Sequence, residues 1–259
     1  MNRKKNVGSD KGKSYSLSLS VIIPAYNEEK RITATLKDIE KFLRKNFSNF
    51  EVMVYNDGSQ DKTERVVKEF IKKHRLKNFK IVTFRKNVGK GKTIKIASLK
   101  AKKDWILMMD ADSAAPIEDV QRLIDGRRGK EIVYGSRYLD RTLLKVRQPL
   151  VRRIIGRAGN LLARIVLKIN LCDTQCGFKL FSRRAARIIF PKSEIERWGW
   201  DLEVLAIAQA NNLSVVEVPV SWAHIEGSKF RASRGIRQTF LELFTIKRNL
   251  RQGKYSNNT

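Results

Sequence analysis

The chain has 259 residues, 42 % of them hydrophobic, which is enough to build a core and excludes a mainly disordered protein. Lysine and arginine number 54 against 26 aspartates and glutamates, a net charge of +28 that points to an anionic partner: nucleic acid, an acidic membrane surface or a phosphorylated substrate. Two cysteines exclude a disulfide framework and fit a reducing compartment.

Residues 1–16 carry Asn, Lys, Gly and Ser and read as a flexible basic tail. From there strands and helices alternate. Leu19–Ile23 reads as a buried strand, and 28–46 as a helix with Ile32, Leu36, Ile39 and Leu43 on one face. A strand at 50–55, a helix at 61–74, a strand at 79–84, a helix at 90–102, a strand at 105–110, a helix at 116–126 and a strand at 131–135 follow. This order predicts an α/β fold with a mostly parallel sheet covered by helices on both faces. Beyond Arg147 the pattern becomes basic and amphipathic. A helix at 148–169 carries a stripe of Leu150, Ile154, Ala158, Leu161, Ile165 and Ile169, with Arg153, Arg157, Arg164 and Lys168 largely off it. A helix at 200–212, a strand at 214–220 and a last basic amphipathic helix at 235–250 complete the reading. The expected organisation is a catalytic domain over 17–227 and a basic helix and tail over 228–259. No stretch approaches the ~20 apolar residues of a membrane span, and the start lacks the apolar core of a secretory signal.

Ligands of a parallel sheet bind beyond the carboxyl ends of its strands. Four polar clusters are predicted there: Pro24-Ala25-Tyr26-Asn27-Glu28, Asn56-Asp57-Gly58-Ser59, Asp110-Ala111-Asp112 and Gly135-Ser136-Arg137. Each alone could be a turn or a cap, but four on one edge argue for a site. Asp110 closes an apolar run, where a carboxylate must be solvated, paired or metal-bound. With Asp112 it forms an oxygen-donor pair suited to a hard divalent cation that also holds phosphates. Gly89-Lys90-Gly91-Lys92-Thr93 resembles the end of a phosphate-binding loop, but Lys86 stands where that motif needs its first Gly. Lys90 or Lys92 can still approach a phosphate. Cys172 and Cys176 lack zinc spacing, and no histidine-based nucleophile set is visible.

Together these motifs resemble family 2 glycosyltransferases with the GT-A fold. Further residues look like the polyprenyl-phosphate branch, which contains the dolichyl-phosphate mannose synthases and β-glucosyltransferases. They are Gly135-Ser136-Arg137-Tyr138, 173–179, Trp200-Asp201-Leu202-Glu203, Val218-Pro219-Val220-Ser221-Trp222 and Glu226-Gly227-Ser228-Lys229. The resemblance implies that Pro24, Ala25, Tyr26, Glu28 and Asp57, with Asp110 and Ala111, hold the nucleotide sugar. It implies that Asp110 and Asp112 bind Mg²⁺ or Mn²⁺, and that Arg137, Arg152 or Arg153, and Lys229 surround the acceptor phosphate. Asn56 and the run around Lys229 look like the glucose branch. Ala114 stands where mannose synthases often carry Gln, and the N-terminal anchor of many glucose-branch members is not seen.

The expected activity is inverting, metal-dependent transfer of a hexose to dolichyl or polyprenyl phosphate at the cytoplasmic face of a membrane, with peripheral attachment to anionic lipid. UDP-glucose ranks first as donor and GDP-mannose second. A family 2 enzyme acting on a non-lipid acceptor is the alternative. A nucleic-acid-binding protein ranks behind both, since the late basic residues lie on amphipathic helices. The sequence leaves the oligomeric state open.

Overall fold

The computed structural model describes residues 15–146, 150–225 and 232–256. Its main sheet contains β1 (Leu19–Ala25), β2 (Phe50–Asn56), β3 (Phe79–Thr83), β4 (Trp105–Met108), β5 (Ile132–Ser136), β7 (Lys179–Ser182) and β8 (Val215–Pro219), in the order β3-β2-β1-β4-β7-β5-β8. All pair in parallel except β7, which runs antiparallel to both β4 and β5. A two-stranded parallel sheet joins β6 (Leu144–Val146) to β9 (Trp222–Ala223).

The interior strand β1 shows why the sheet needs cover on both sides. Val21 and Ile23 point into one core and Ile22 into the other, and all three are buried. The first core takes α1 (Ile32–Asn46), α2 (Thr63–Lys73) and α4 (Val120–Gly126) through Leu36, Ile39, Val67 and Leu123. The second takes α3 (Lys90–Lys100), α5 (Leu150–Leu167), α6 (Arg183–Lys192), α7 (Trp200–Ala210) and α8 (Ala232–Arg251), with Ile94, Leu167, Ile189, Ile207 and Ile246. Each fully buried residue of this size contributes about 1.5–3 kcal/mol.

Several expectations are adjusted. The fourth strand ends at Met108, so Asp110 lies just past it, and the helix read from Pro116 begins as a 3-10 turn at Ile117–Asp119. Tyr15, placed by the sequence in the tail, forms a bridge with Phe47 and stacks on its ring at 5.1 Å. The stretch 170–199, for which the sequence predicts no strand or helix, carries β7 and α6. Ser182 at the end of β7 starts α6, its hydroxyl accepting from the Ala185 N–H at 3.1 Å.

The long stripe read on 148–169 is divided. Ala163 and Leu167 of α5 face the core, whereas Leu161 and Ile165 face outward. In α8, Leu243 and Ile246 are buried and Phe240 and Phe244 exposed. Among the described residues no helix is long and apolar enough to cross a membrane.

Candidate active site

The carboxyl ends of β1, β2, β4 and β5 all lie on one edge, because these strands run in the same direction. The four polar clusters therefore meet there. The loops after β1 and β2 are laced together. Asn27, at φ 54°, accepts the Gln60 N–H at 2.7 Å through its side chain, and its own N–H reaches the Ser59 hydroxyl at 2.8 Å. The Glu28 N–H donates to the Thr63 hydroxyl at 2.7 Å. The Glu28 carboxylate is held in a two-pronged pair with Arg31, both contacts 2.8 Å.

Asp57 is buried, and its carboxylate accepts the N–H groups of Val88 (2.7 Å) and Gly89 (3.1 Å), fastening the loop before α3 to the end of β2. Gly58 is required beside it. Its φ is +67°, and a β-carbon there would strike the Lys86 backbone.

The Asp110-Ala111-Asp112 turn is set by α1. The Thr35 hydroxyl donates to the Ala111 carbonyl at 2.8 Å, and the Ser113 hydroxyl donates to Thr35 at 3.1 Å. Asp112 accepts the Ala114 N–H at 3.1 Å, with Arg31 at 3.8 Å. Burial, then the Asp110 charge, hold the Asp112 carboxyl above its ordinary range. Lys90, at the start of α3, donates to Asp110 Oδ1 at 2.7 Å. Burial alone would depress the Lys90 ammonium, but Asp110, Asp201 and Asp112 outweigh it and hold its pKa above the usual lysine value. On the other side of Asp110, the missing side chain of Gly177 makes room: a β-carbon there would overlap Oδ2.

Behind this pair lies a layer whose roles the sequence reading did not assign. Lys179 of β7 is fully buried, sits 2.5 Å from Asp201 Oδ1, donates to the Cys176 carbonyl and lies over the rings of Tyr134 (4.8 Å) and Trp200 (4.9 Å). Burial holds the Asp201 carboxyl above its ordinary range. The readable signal was a lysine inside Phe178-Lys179-Leu180-Phe181, since a charge in an apolar strand demands a partner. Glu203, two residues after Asp201, accepts the N–H groups of Glu194 (3.0 Å) and Ile195 (2.9 Å) and the Tyr255 hydroxyl (2.9 Å).

Arg137 lies just past β5. Its guanidinium grips Asp173 through Nε at 2.6 Å and a terminal nitrogen at 2.8 Å. Glu217 of β8 fixes that aspartate's backbone by accepting the Cys172 and Asp173 N–H groups, both at 2.6 Å. Burial raises the Asp173 carboxyl pKa and the Arg137 charge lowers it, with a net fall; Arg137 itself is driven further above its usual value. Arg137 also lies 5.4 Å over the Tyr138 ring, and Arg157 of α5 lies 5.6 Å over that same ring. Arg137 and the Asp110–Lys90 pair thus end two strands separated only by β7. The other expected phosphate ligands, Lys229 and the side chains of Arg152 and Arg153, lie outside the described residues. Pro24 and Ala25 end β1, and Tyr26 opens the loop after it. Cys172 and Cys176 are both free, and burial pushes the Cys176 thiol up to about 12.

A divalent cation fits the carboxylate pair. Two acids two residues apart, one of them carrying a burial and repulsion penalty, are relieved by a cation between them. Among the described residues no cluster of three or more His, Cys, Asp or Glu forms, so phosphate oxygens and water would supply the other ligands.

The family model for glycosyl transferase family 2 matches residues 20–190. Dolichyl-phosphate beta-glucosyltransferase of Dictyostelium discoideum is 37 % identical over 225 residues, covering 83 % of this chain and 69 % of that protein. Its Homo sapiens counterpart is 35 % identical over 224 residues, covering 82 % and 69 %. Among solved structures, glucosyl-3-phosphoglycerate synthase from Mycobacterium tuberculosis with Mn²⁺, UDP and glucosyl-3-phosphoglycerate superposes with a TM-score of 0.66 at 19 % identity, over 89 % of this chain and 80 % of that one. That likeness establishes a GT-A fold. The chain belongs to glycosyl transferase family 2, is a glycosyltransferase, and groups with the dolichyl-phosphate β-glucosyltransferases.

Proposed function

We propose that the protein transfers glucose from UDP-glucose, with inversion, to a dolichyl or polyprenyl phosphate at the cytoplasmic face of a membrane. The observation that carries this reading is the Asp110–Lys90 pair at the end of β4, one strand away from Arg137 at the end of β5. Two anionic substrates can be brought together there. The names of the relatives at 35–37 % identity support glucose and dolichyl phosphate as the transferred sugar and acceptor.

The donor lies along the β1, β2 and β4 ends, with Pro24, Ala25, Tyr26, Glu28, Asp57 and Ala111 lining the nucleotide. Asp110 and Asp112 would hold Mg²⁺ or Mn²⁺, which neutralises the diphosphate leaving group. Lys90 leaves Asp110 for the diphosphate when donor binds, adding a fixed positive charge where negative charge develops. The acceptor phosphate is gathered by Arg137, by Arg152 or Arg153, and by Lys229. One of its oxygens bonds to the anomeric carbon while the bond from that carbon to the diphosphate oxygen breaks, the electron pair leaving with UDP. A phosphate oxyanion needs no base. His74 is engaged with Glu40 at 3.1 Å, and His224 lies by Trp222, the ring under Arg137, where an attacking oxyanion gives it no proton to remove.

The test is a donor panel. Dolichyl phosphate is incubated with the protein, Mg²⁺ or Mn²⁺, and UDP-glucose, UDP-galactose, UDP-N-acetylglucosamine or GDP-mannose in turn. Label entering the organic phase from UDP-glucose supports the reading. Label from GDP-mannose alone overturns the donor, and label appearing only on water-soluble acceptors overturns the lipid.

A further inference from the structure

Resting on that reading, we propose that Tyr255, which follows α8, is a positioning residue for Lys90. Through Glu203 and the 193–199 loop it fixes the start of α3, and with it the ammonium that meets the donor diphosphate. Tyr255 is buried and held at two points. Its hydroxyl donates to the Glu203 carboxylate at 2.9 Å and accepts the Asn249 amide at 3.1 Å. Its carbonyl accepts the Asn211 amide at 2.7 Å and the Lys192 ammonium at 2.9 Å. Burial, then the Glu203 charge, raise the pKa of the hydroxyl, so it stays a donor. Glu203 in turn accepts the Glu194 and Ile195 N–H groups, which open the loop between α6 and α7. Asn249 also donates to the Glu194 carboxylate, at 3.3 Å. The far end of the loop is tied to α8 by the Gly199 N–H, which donates to Glu242 at 2.6 Å.

The loop is the seat of α3. The Glu196 carbonyl accepts the Lys92 N–H at 3.1 Å, and the Glu196 carboxylate holds the Lys92 ammonium at 2.6 Å. One turn further on, the Lys95 ammonium donates to the Ser193 carbonyl at 2.6 Å. A β-carbon at Gly89 or Gly91 would strike the Glu196 or Ile195 carbonyl, so the backbone of the α3 start rests directly on the loop. Lys90 stands between those two glycines. A loop that shifts therefore carries Lys90 with it, and a displaced cation meets the diphosphate poorly. Packing alone asks only for the Tyr255 ring. The hydroxyl is what reaches Glu203, and a hydrogen bond to a carboxylate is of the stronger kind.

The experiment measures UDP binding to the full chain by calorimetry at saturating Mn²⁺. Tyr255→Phe keeps the ring and removes the hydroxyl. It is expected to weaken UDP by about five- to tenfold, within the range seen for coupling through packed networks. Lys90→Met is expected to weaken UDP as well. In the double variant, Tyr255→Phe should add less than about a further twofold, because the cation it positions is gone. A residue that only supports the fold would act equally with and without Lys90. Hydrogen exchange gives a reading that needs no variant. Coupling is reciprocal, so UDP bound to the parent protein is expected to slow exchange in 193–199 as well as in 89–96.

Parental UDP affinity in Tyr255→Phe overturns the proposal, as does an equal loss in the presence and absence of Lys90. So does exchange in 193–199 that is indifferent to UDP. The proposed function fails in a different pattern. If Lys90→Met weakens UDP and Tyr255→Phe does not, only the positioning role is wrong. If GDP binds in place of UDP, the donor is wrong, and the same variants are compared with GDP. If neither nucleotide binds, or Lys90→Met binds UDP as the parent does, the donor site is wrong and the positioning role falls with it.

Discussion

The two halves of the sheet edge are built differently. At the ends of β1, β2 and β4, apart from the Asp110–Lys90 pair, polar side chains bind the backbone of neighbouring loops: Asn27 to Gln60, Asp57 to Val88 and Gly89, Asp112 to Ala114. At the ends of β5 and β7, charged side chains pair with each other across the fold: Arg137 with Asp173, Lys179 with Asp201. The first arrangement uses turn chemistry that short sequence windows display. The second holds charges out of water, where each partner is indispensable to the other. The β1–β2–β4 half should therefore tolerate substitution in stability yet fail in activity, and the β5–β7 half should fail in stability first.

The largest effect is expected from Lys179→Met. It leaves Asp201 buried without its counter-ion and should cost about 3–5 kcal/mol in chemical denaturation. The double variant Lys179→Met, Asp201→Leu should recover much of that loss. Equal instability of both would mean that shape, rather than charge pairing, sustains this layer. On the donor side, Asp110→Asn keeps the size of a partly exposed side chain and should leave the melting curve nearly unchanged. Turnover should fall by at least about a hundredfold, because an amide binds a divalent cation poorly.

Gly177→Ala sharpens the contrast, since Gly177 precedes β7, in the charge-paired half, yet lies against the Asp110 carboxylate. The added methyl must displace that carboxylate. Mn²⁺ affinity, followed by electron paramagnetic resonance, should fall by roughly tenfold with turnover, as small misplacements of a reacting group are costly. Normal Mn²⁺ affinity would show that the turn yields freely.

The smallest effect is on pH. The Asp173 carboxyl has a lowered pKa in the folded chain, so it stabilises the fold above the ordinary aspartate value near 3.9, and that contribution is lost as pH falls below it. About 1.4 kcal/mol disappears for each unit between the unfolded and folded values. Asp173→Asn should flatten this acid limb in denaturation curves taken between about pH 5 and 2.

These differences also explain what the sequence made legible. Six of the seven main strands could be read, because each is a short, largely apolar segment between helical or turn patterns, and polar clusters mark the ends of four of them. β7 could not, since its four residues include Lys179, whose charge is cancelled only by Asp201 on a distant helix. α6 was hidden by arginines in its first turn and Pro191 in its last. Glu28 read as an open ligand, yet Arg31, a single helical turn on, holds it with both prongs. Arg137 read as an open cation for a different reason: Asp173 stands 36 positions away, and spacing alone could not reveal the pair. The α5 stripe was visible as a period. Which side faced the core depended on contact with α8, a pairing that the period of neither helix specifies.

Mass spectrometry of the lipid product tests the central claim most directly. The protein is incubated with UDP-glucose labelled in the sugar, dolichyl phosphate and Mn²⁺, and the organic extract is analysed. The account predicts a dolichyl monophosphate carrying one labelled hexose, formed by wild type and nearly absent with Asp110→Asn. A labelled sugar on a lipid diphosphate, or label retained wholly in the aqueous phase, would contradict it.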